Sequence, residues 1–145
     1  MTTYGFLTKT ELPSLLKLYG QLNPDDVPTG EAAAEKIWRE IERQNIKYCV
    51  ARQEGEIVSC CYIAIIPNLT HEGRSIGFIE NVVTDKTQRR KGIGRQVLEN
   101  AIAYAKEQNC YKVMLQSGNL RKEAHPFYES IGFDGRSKTA YEMKI

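Results

Sequence analysis

A short basic segment with two glycines carries the clearest chemical signal in this sequence. Between Lys86 and Arg95 there are five basic residues and no acidic residue. Gly92 and Gly94 bring no side chain, so an anion can approach the backbone closely there. A helix that begins at Gly92 has first-turn N–H groups without intrahelical partners, and these groups attract anions. The segment therefore predicts a diphosphate site. The basic side chains that could add charge to it are those of Arg89, Arg90, Lys91 and Arg95.

The elements around the basic segment place it between a strand and a helix. Ser75 to Thr84 is rich in apolar and β-branched residues, which predicts a strand. Gly92 to Gln108 repeats apolar residues at helical spacing, and Tyr111 to Gln116 predicts another buried strand. Because a helical crossover joins these two strands, we expect them to be parallel neighbours.

The rest of the chain predicts a mixed α/β fold. Further strands are predicted at Tyr4–Leu7, Ile46–Ala51, Glu56–Ile66 and from Phe133 onward. Further helices are predicted after an N-cap at Thr10, from Thr29 or Gly30 to Gln44, and from Lys122 to Ile131 with Gly132 as the C-cap. The second of these helices should carry Ala33, Ile37, Trp38 and Ile41 on its buried face.

Two motifs resemble those of the GCN5-related N-acetyltransferase (GNAT) superfamily. The family's coenzyme A signature, Gln/Arg-x-x-Gly-x-Gly/Ala, reads here from Arg89 to Gly94, and its C-terminal motif reads from Ala124 to Phe133. The resemblance implies the acyl-CoA N-acyltransferase fold. In that fold a central mixed sheet of six to seven strands is flanked by four helices and splayed between the fourth and fifth strands. It also implies that residues 1–145 form a single N-acetyltransferase domain.

The resemblance further implies acetyl-CoA as the co-substrate, and the spacing of the two histidines predicts no metal. The end of the strand before the basic segment should pair through its backbone with the pantetheine. The N–H groups of the basic segment should hold the pyrophosphate, and two later residues should lie near the thioester. These three groups are Val82, Val83 and Thr84; Arg89, Arg90, Lys91, Gly92, Ile93, Gly94 and Arg95; and Asn119 and Phe127.

Two side chains are candidates for proton transfer. An amine must lose a proton before it attacks a thioester, and a carboxylate within reach can accept that proton. Glu80 lies two residues before the pantetheine-binding stretch, and strand alternation puts it on the same face as Phe78 and Val82. Tyr128 falls on the family's frequent general acid. The alternatives are that Glu80 lies in water or pairs with an arginine, and that Tyr128 only packs beside Phe127.

Composition argues against several other classes of protein. The 18 acidic residues nearly balance the 20 basic ones, which disfavours a nucleic-acid-binding protein. No apolar run approaches the length of a membrane span, so no membrane partner is expected. His71 and His125 lack any metal-binding spacing. The four cysteines form no Cys-x-x-Cys pair and lie in apolar runs, which predicts buried free thiols and a reducing, cytoplasmic location.

The predicted activity is direct transfer of the acetyl group of acetyl-CoA to a primary amine of a small molecule. The alternatives are acetylation of a protein or peptide amine, and a non-catalytic acyl-CoA-binding regulatory domain. The acceptor stays open, because Gln21 to Ala33 and Pro67 to Arg74, which should face it, offer both acidic and basic residues. Ser117 to His125 resembles small-amine acetyltransferases. Ile79 to Thr84 resembles glucosamine-phosphate acetyltransferases but departs from them at Asn81, where they carry an acidic residue. Homodimers are common in the family, so the resemblance also implies a possible homodimer.

Overall fold

The structure, a computed structural model, describes residues 1–145 and consists of five strands and four α-helices with short 3-10 turns between them. The strands are β1 (Thr3–Phe6), β2 (Ile46–Gln53), β3 (Glu56–Ile66), β4 (Ser75–Thr84) and β5 (Cys110–Leu115). The helices are α1 (Leu12–Leu22), α2 (Glu31–Glu42), α3 (Ile93–Glu107) and α4 (Ala124–Ile131). The predicted mixed α/β class is confirmed.

All five strands form one sheet in the order β1-β2-β3-β4-β5. The first four strands are antiparallel neighbours, and β2 turns into β3 through Glu54 and Gly55, both with positive φ. β4 and β5 are parallel, because α3 carries the chain back along the sheet between them. This confirms the parallel pairing expected from the sequence.

Helices cover both faces of the sheet, and each face has its own core. On the first face, which we call the α3 face, Val97 and Leu98 of α3 are buried against Ile79 of β4. On the second, the α1 face, Leu15 of α1 and Trp38 of α2 are buried against the sheet. Full burial of such a side chain stabilises the fold by roughly 1.5–3 kcal/mol. None of the four helices is both long enough and apolar enough to span a membrane.

The buried stripe of α2 is narrower than predicted. Ala34 and Trp38, four residues apart, are buried, whereas Ala33 faces solvent and Ile37 is 50% exposed. Residues four apart lie above one another on a helix, so contact through a single ridge leaves the neighbouring positions outside. The expectation that Ala33 and Ile37 share the buried face was wrong.

The chain after α4 also differs from the prediction. Residues from Phe133 onward form no strand, so the sheet has five strands instead of six to seven. Tyr141 and Met143 are 91% and 83% exposed. A strand exists only when a neighbouring strand accepts its backbone hydrogen bonds, and no strand of this chain pairs with the segment. The predicted final strand therefore has no partner within the chain, and β5 remains an edge strand.

The cysteines agree with the expectation of free thiols. Cys49, Cys60 and Cys61 are buried in the centre of the sheet, Cys110 is half-buried, and all four are free. Cys49 and Cys61 belong to the core of the α3 face, and Cys60 belongs to the core of the α1 face. The three buried thiols act as small apolar side chains that fill the interior.

The entry into α1 is held by an ion pair with β2. Glu11 accepts hydrogen bonds from both the N–H of Thr8, at 2.8 Å, and the guanidinium of Arg52. Thr8, rather than the predicted Thr10, is therefore the capping residue of the turn that leads into the helix. The Arg52 hydrogen bond is the main cause that lowers the pKa of Glu11 to about 2 from its ordinary 4.5.

This pKa shift predicts a pH-dependent contribution to stability. Because the folded-state pKa is depressed, the Glu11 carboxylate contributes fully above pH 4.5 and loses its contribution as the pH falls towards about 2. We expect Glu11→Gln to lower the free energy of unfolding by about 1 kcal/mol at pH 7, after allowance for solvent screening, and by nothing at the acid end. Urea unfolding at several pH values measures this difference. Glu40→Gln, which breaks only an exposed pair with Arg43, is the control and should show no such trend.

Candidate functional site

The start of α3 presents an unbroken run of backbone N–H groups. Gln88 N–H donates to Asp85 at 2.8 Å, and the next backbone N–H to donate is that of Gln96, which bonds Gly92 at 3.1 Å. The N–H groups from Arg89 to Arg95 therefore make no hydrogen bond within the chain. Arg90 and Gly92 have φ angles of 62° and 80°, and these left-handed residues curl the segment into a concave turn. Such a turn at a helix N-terminus is suited to an anion with several oxygens.

Gly94 is required because α3 approaches the end of β4 closely. A Cβ atom at Gly94 would lie 2.7 Å from the Thr84 hydroxyl oxygen, too close for a real contact. That hydroxyl lies 2.8 Å from the Ser59 hydroxyl, which also donates to the Val83 carbonyl at 3.1 Å. Ser59 is fully buried in an apolar strand, and it fixes the end of β4 beneath the helix. Its signal in the sequence was its position as a polar residue within the apolar run of β3, but its role was not predicted.

The basic side chains around this turn do not all point at it. Arg95 donates to Glu99 at 2.9 Å and to Ser130 on α4 at 3.3 Å, so its guanidinium lies against protein groups. Arg89 turns back and donates to the Thr84 carbonyl at 3.2 Å. Arg90 makes no hydrogen bond and is exposed, and Lys91 contacts only Gln88. Arg89, Arg90 and Lys91 pair with no acidic side chain, so the positive charge available at the turn comes mainly from them. Arg95 is paired with Glu99 and offers its backbone N–H instead.

β4 separates from β5 before it reaches the turn. The parallel pairing ends where Ile79 meets Leu115, whereas β4 continues to Thr84. From Glu80 to Thr84 the strand consequently has no neighbour on the β5 side. The expected splaying between the fourth and fifth strands is confirmed. An extended ligand could pair with this free edge as an added strand does.

A bulge in β4 changes which face each side chain occupies. Glu80 lies opposite Tyr62 and Val83 lies opposite Cys60, so two residues of β4 span one residue of β3. Asn81, at the bulge, has a left-handed φ of 53°. Glu80 therefore shares the α1 face with Phe78 and its neighbour Tyr62, whereas Val82 packs against the α3 face. The prediction that Glu80 and Val82 share a face was wrong, because the bulge breaks the alternation.

Tyr128 approaches the splayed end of the sheet from the α3 face. Its ring packs against Phe127 with a centroid distance of 5.4 Å, and the side chain is half-buried. Burial is the main cause that raises its pKa above the ordinary 10, with the charge of Glu80 adding to the rise and Arg121 opposing it. The phenol therefore carries its proton at neutral pH. Glu80 and Tyr128 therefore lie on opposite faces of the open sheet.

The two remaining predicted residues are placed differently from each other. Phe127 lies beside the turn, since its ring edge would be 3.9 Å from a Cβ atom at Gly94. Asn119 is exposed in the turn between β5 and α4, makes no hydrogen bond, and is not brought into contact with Glu80 or Tyr128. His125 on α4 lies 3.0 Å from the Gly118 carbonyl and donates to it, so it ties this turn to the helix. No group of three His, Cys, Asp or Glu side chains is arranged to hold a metal ion.

These features fit a diphosphate with an extended amide-bearing tail. Unpaired N–H groups and nearby cations meet the charged part, and the free edge of β4 meets the tail. The tail would end at the bulge, between the Glu80 carboxylate and the protonated Tyr128 phenol. Coenzyme A has this shape and charge, and its thiol would lie at the two titratable groups.

Comparisons with known proteins agree with this geometry. The profile of the family described as "Acetyltransferase (GNAT) family" matches residues 12–133. A glucosamine 6-phosphate N-acetyltransferase from Trypanosoma brucei brucei is 32% identical over 129 residues, which cover 88% of this chain and 85% of that protein. N-alpha-acetyltransferase 30 from Xenopus laevis is 37% identical over 57 residues, 39% of this chain and 21% of that protein.

Solved structures show the same fold over the full length of the chain. A protein from Agrobacterium tumefaciens str. C58, assigned as an acetyltransferase, superposes with a TM-score of 0.93 at 38% identity, with 99% of each chain covered. Both the profile match and this similarity extend over the strand end, the basic turn and the helix that follows. The chain belongs to the GNAT family of acetyltransferases.

Proposed function

We propose that this acetyl-CoA-dependent N-acetyltransferase transfers the acetyl group directly to a primary amine of a small molecule. The observation that carries the proposal is the run of unpaired N–H groups from Arg89 to Arg95 beside the free edge of β4. Family membership supports the reaction, and the relative from Trypanosoma brucei supports a small-molecule acceptor. The reaction would be carried by residues 1–145 acting as one domain.

The residues for acetyl-CoA follow from the geometry of the turn. The N–H groups of residues 89–95 would hold the pyrophosphate, with charge added by Arg89, Arg90 and Lys91. The backbone of Val82, Val83 and Thr84 would pair with the pantetheine. Phe127 and the exposed Asn119 would lie near the thioester end of the bound group. Acetyl-CoA supplies the acetyl group as a thioester, which amines attack readily.

Glu80 is the proposed general base. It lies on the α1 face at the bulge, beside the edge where the thioester would end, and a carboxylate there can take a proton from an incoming ammonium group. Most of an alkyl amine is protonated at neutral pH, since its pKa is about 10. The proton must therefore leave before the nitrogen attacks, directly to Glu80 or through a water molecule.

Replacement of Glu80 by glutamine tests this role. We expect Glu80→Gln to lower kcat/KM about 100-fold or more at pH 7, and the deficit to shrink as rising pH deprotonates the amine without help. Thiol release from acetyl-CoA over pH 6.5–9 measures it. Glu35→Gln, an exposed change on α2, is the control. A deficit that stays constant with pH would show that Glu80 is not the base.

The acceptor is proposed from the relatives and from the charges near the site. The relative from Trypanosoma brucei is a glucosamine 6-phosphate N-acetyltransferase, and glucosamine 6-phosphate combines an amine with an anionic group. On the acceptor side, Asp25, Asp26 and Glu31 could attract the amine, and Arg121 is an exposed cation that could meet an anion. Asn81 replaces the acidic residue of the glucosamine-phosphate enzymes, so Glu80 is the remaining carboxylate at the bulge.

An acceptor panel tests the proposed reaction. Purified protein with acetyl-CoA is offered glucosamine 6-phosphate, other phosphorylated or phosphonylated amines, uncharged amines and peptides. We expect thiol release above the blank with at least one small amine. Preference for a peptide would favour the alternative acceptor, which the match to N-alpha-acetyltransferase 30 supports over part of the chain. Coenzyme A binding without thiol release from any amine would favour the non-catalytic alternative.

A homodimer is proposed as the assembly. The exposed apolar side chains of Tyr141, Met143 and Ile145 lie on a segment without partners, and β5 leaves a free sheet edge. A second copy could cover both. Light scattering over a range of concentrations tests this, and a monomer at all of them would contradict it.

The free thiols support a cytoplasmic location, because thiols persist in reducing compartments.

A further inference from the structure

One side chain of α1 reaches across to the turn that precedes the diphosphate site. Gln21, in the last turn of α1, donates from Nε2 to Asp85 Oδ2 at 2.9 Å. Its carbonyl oxygen accepts the Lys86 backbone N–H, also at 2.9 Å. Both ends of the amide are thus used, and no other hydrogen bond joins α1 to residues 85–95.

The same carboxylate organises the rest of the turn. Asp85 Oδ1 accepts the Thr87 N–H at 2.8 Å and the Thr87 hydroxyl at 2.6 Å. The Asp85 backbone in turn bonds the Val58 carbonyl through its N–H and the Gln88 N–H through its own carbonyl, each at 2.8 Å. The turn is therefore held by three groups: Gln21 of α1, the side chain of Asp85 within the turn, and the Val58 carbonyl of β3.

The bonded N–H groups of the turn are directly followed in the sequence by the unpaired ones. The N–H groups of residues 86, 87 and 88 are all satisfied by Gln21 and Asp85, and the unpaired run begins at the next residue, Arg89. A donor array binds an anion tightly only when it is held in place before the ligand arrives, because ordering it afterwards costs conformational entropy. The network lies where the array must be anchored.

We infer that Gln21 is a positioning residue for the diphosphate site: its amide locks the turn at Asp85 and Lys86, and so holds the N–H groups from Arg89 onward in place. This inference rests on the proposed function, because the diphosphate is that of coenzyme A. Gln21 makes both of its hydrogen bonds to residues that precede the unpaired N–H groups. It acts through the turn, from a helix on the opposite side of the sheet from α3.

The test replaces Gln21 by methionine, which keeps the length of the side chain and removes both hydrogen bonds. Loss of two bonds, one of them to a charged group, should raise the Kd for coenzyme A by on the order of tenfold. S-acetylpantetheine has no pyrophosphate, so its kcat/KM as acetyl donor should not change. At saturating acetyl-CoA, kcat should stay near that of the unaltered chain. Gln44→Met is the control: Gln44 lies two residues after α2, and its side chain bonds only the Glu40 carbonyl. This variant should change neither the Kd for coenzyme A nor kcat/KM with S-acetylpantetheine.

A second measurement separates this inference from the proposed function. Hydrogen exchange of the Lys86 and Thr87 amides, without any ligand, should be faster in Gln21→Met and unchanged in Gln44→Met. If the unaltered chain binds no coenzyme A, the proposed function fails, and the exchange rates alone decide whether Gln21 holds the turn. The inference would be overturned if Gln21→Met lowered kcat/KM equally with acetyl-CoA and with S-acetylpantetheine as donor. It would also be overturned if the variant left the amide exchange rates or the Kd for coenzyme A unchanged.

Discussion

Replacement of Tyr128 by phenylalanine should lower kcat about 100-fold or more while the affinity for coenzyme A stays the same. The phenol is half-buried, and its pKa lies above the ordinary 10 chiefly because of burial, so it holds a proton to donate at neutral pH. A positioned general acid contributes roughly 10²–10⁴ in rate. Phenylalanine keeps the packing against Phe127 and Phe133 and removes only the hydroxyl. Steady-state thiol release together with a calorimetric Kd separates the two quantities.

The control for this variant is Tyr141→Phe, which removes a hydroxyl from the exposed C-terminal segment and should change nothing. Because the raised pKa keeps Tyr128 protonated across the working range, the rate of the unaltered enzyme should show no loss from this group between pH 6 and 9. An unchanged kcat in Tyr128→Phe would mean that the tyrosine only packs. The departing thiolate would then need no proton from the protein.

Gly92→Glu should reduce coenzyme A binding at least 100-fold. Gly92 has a left-handed φ of 80°, where a residue with a Cβ atom costs roughly 1–2 kcal/mol. The added carboxylate would also lie at the N-terminus of α3 and repel a diphosphate there. Calorimetric titration measures the loss of affinity, and thermal unfolding measures the part that is strain.

Gly55→Glu separates strain from charge. Gly55, in the turn between β2 and β3, has the same φ of 80° and the same open surroundings as Gly92. It should therefore lose a similar amount of stability and bind coenzyme A normally. If Gly92→Glu binds as tightly as Gly55→Glu, the start of α3 does not hold the diphosphate.

Some of the fold could be predicted because local pattern and final structure agree. β3 and β4 were predicted with their observed bounds, since long apolar and β-branched runs ended by turn residues have few other solutions. α3 was predicted to within a residue at each end, because Gly92 marks its start and its apolar positions recur at helical spacing. The proposed diphosphate site lies between two of these elements, β4 and α3.

Other features depend on partners that are distant in sequence. The face of Glu80 was predicted wrongly relative to Val82, because the bulge at Asn81 is defined only by pairing with β3. The Arg95 guanidinium bonds Ser130, 35 residues away, and Gln21 bonds Asp85, 64 residues away. The final strand was predicted from Phe133 onward, but the segment pairs with no strand of the sheet, although the edge of β5 is free. Such contacts cannot be found from local spacing.

The central claim is that the backbone N–H groups from Arg89 to Arg95 hold the diphosphate of coenzyme A. An amide-resolved NMR titration tests it most directly, because each of these groups gives its own signal. On addition of coenzyme A, we expect the largest shifts at the amides of residues 89–95, and we expect S-acetylpantetheine to leave them unmoved. Coenzyme A that binds while these amides stay unmoved, or that does not bind at all, would contradict the account.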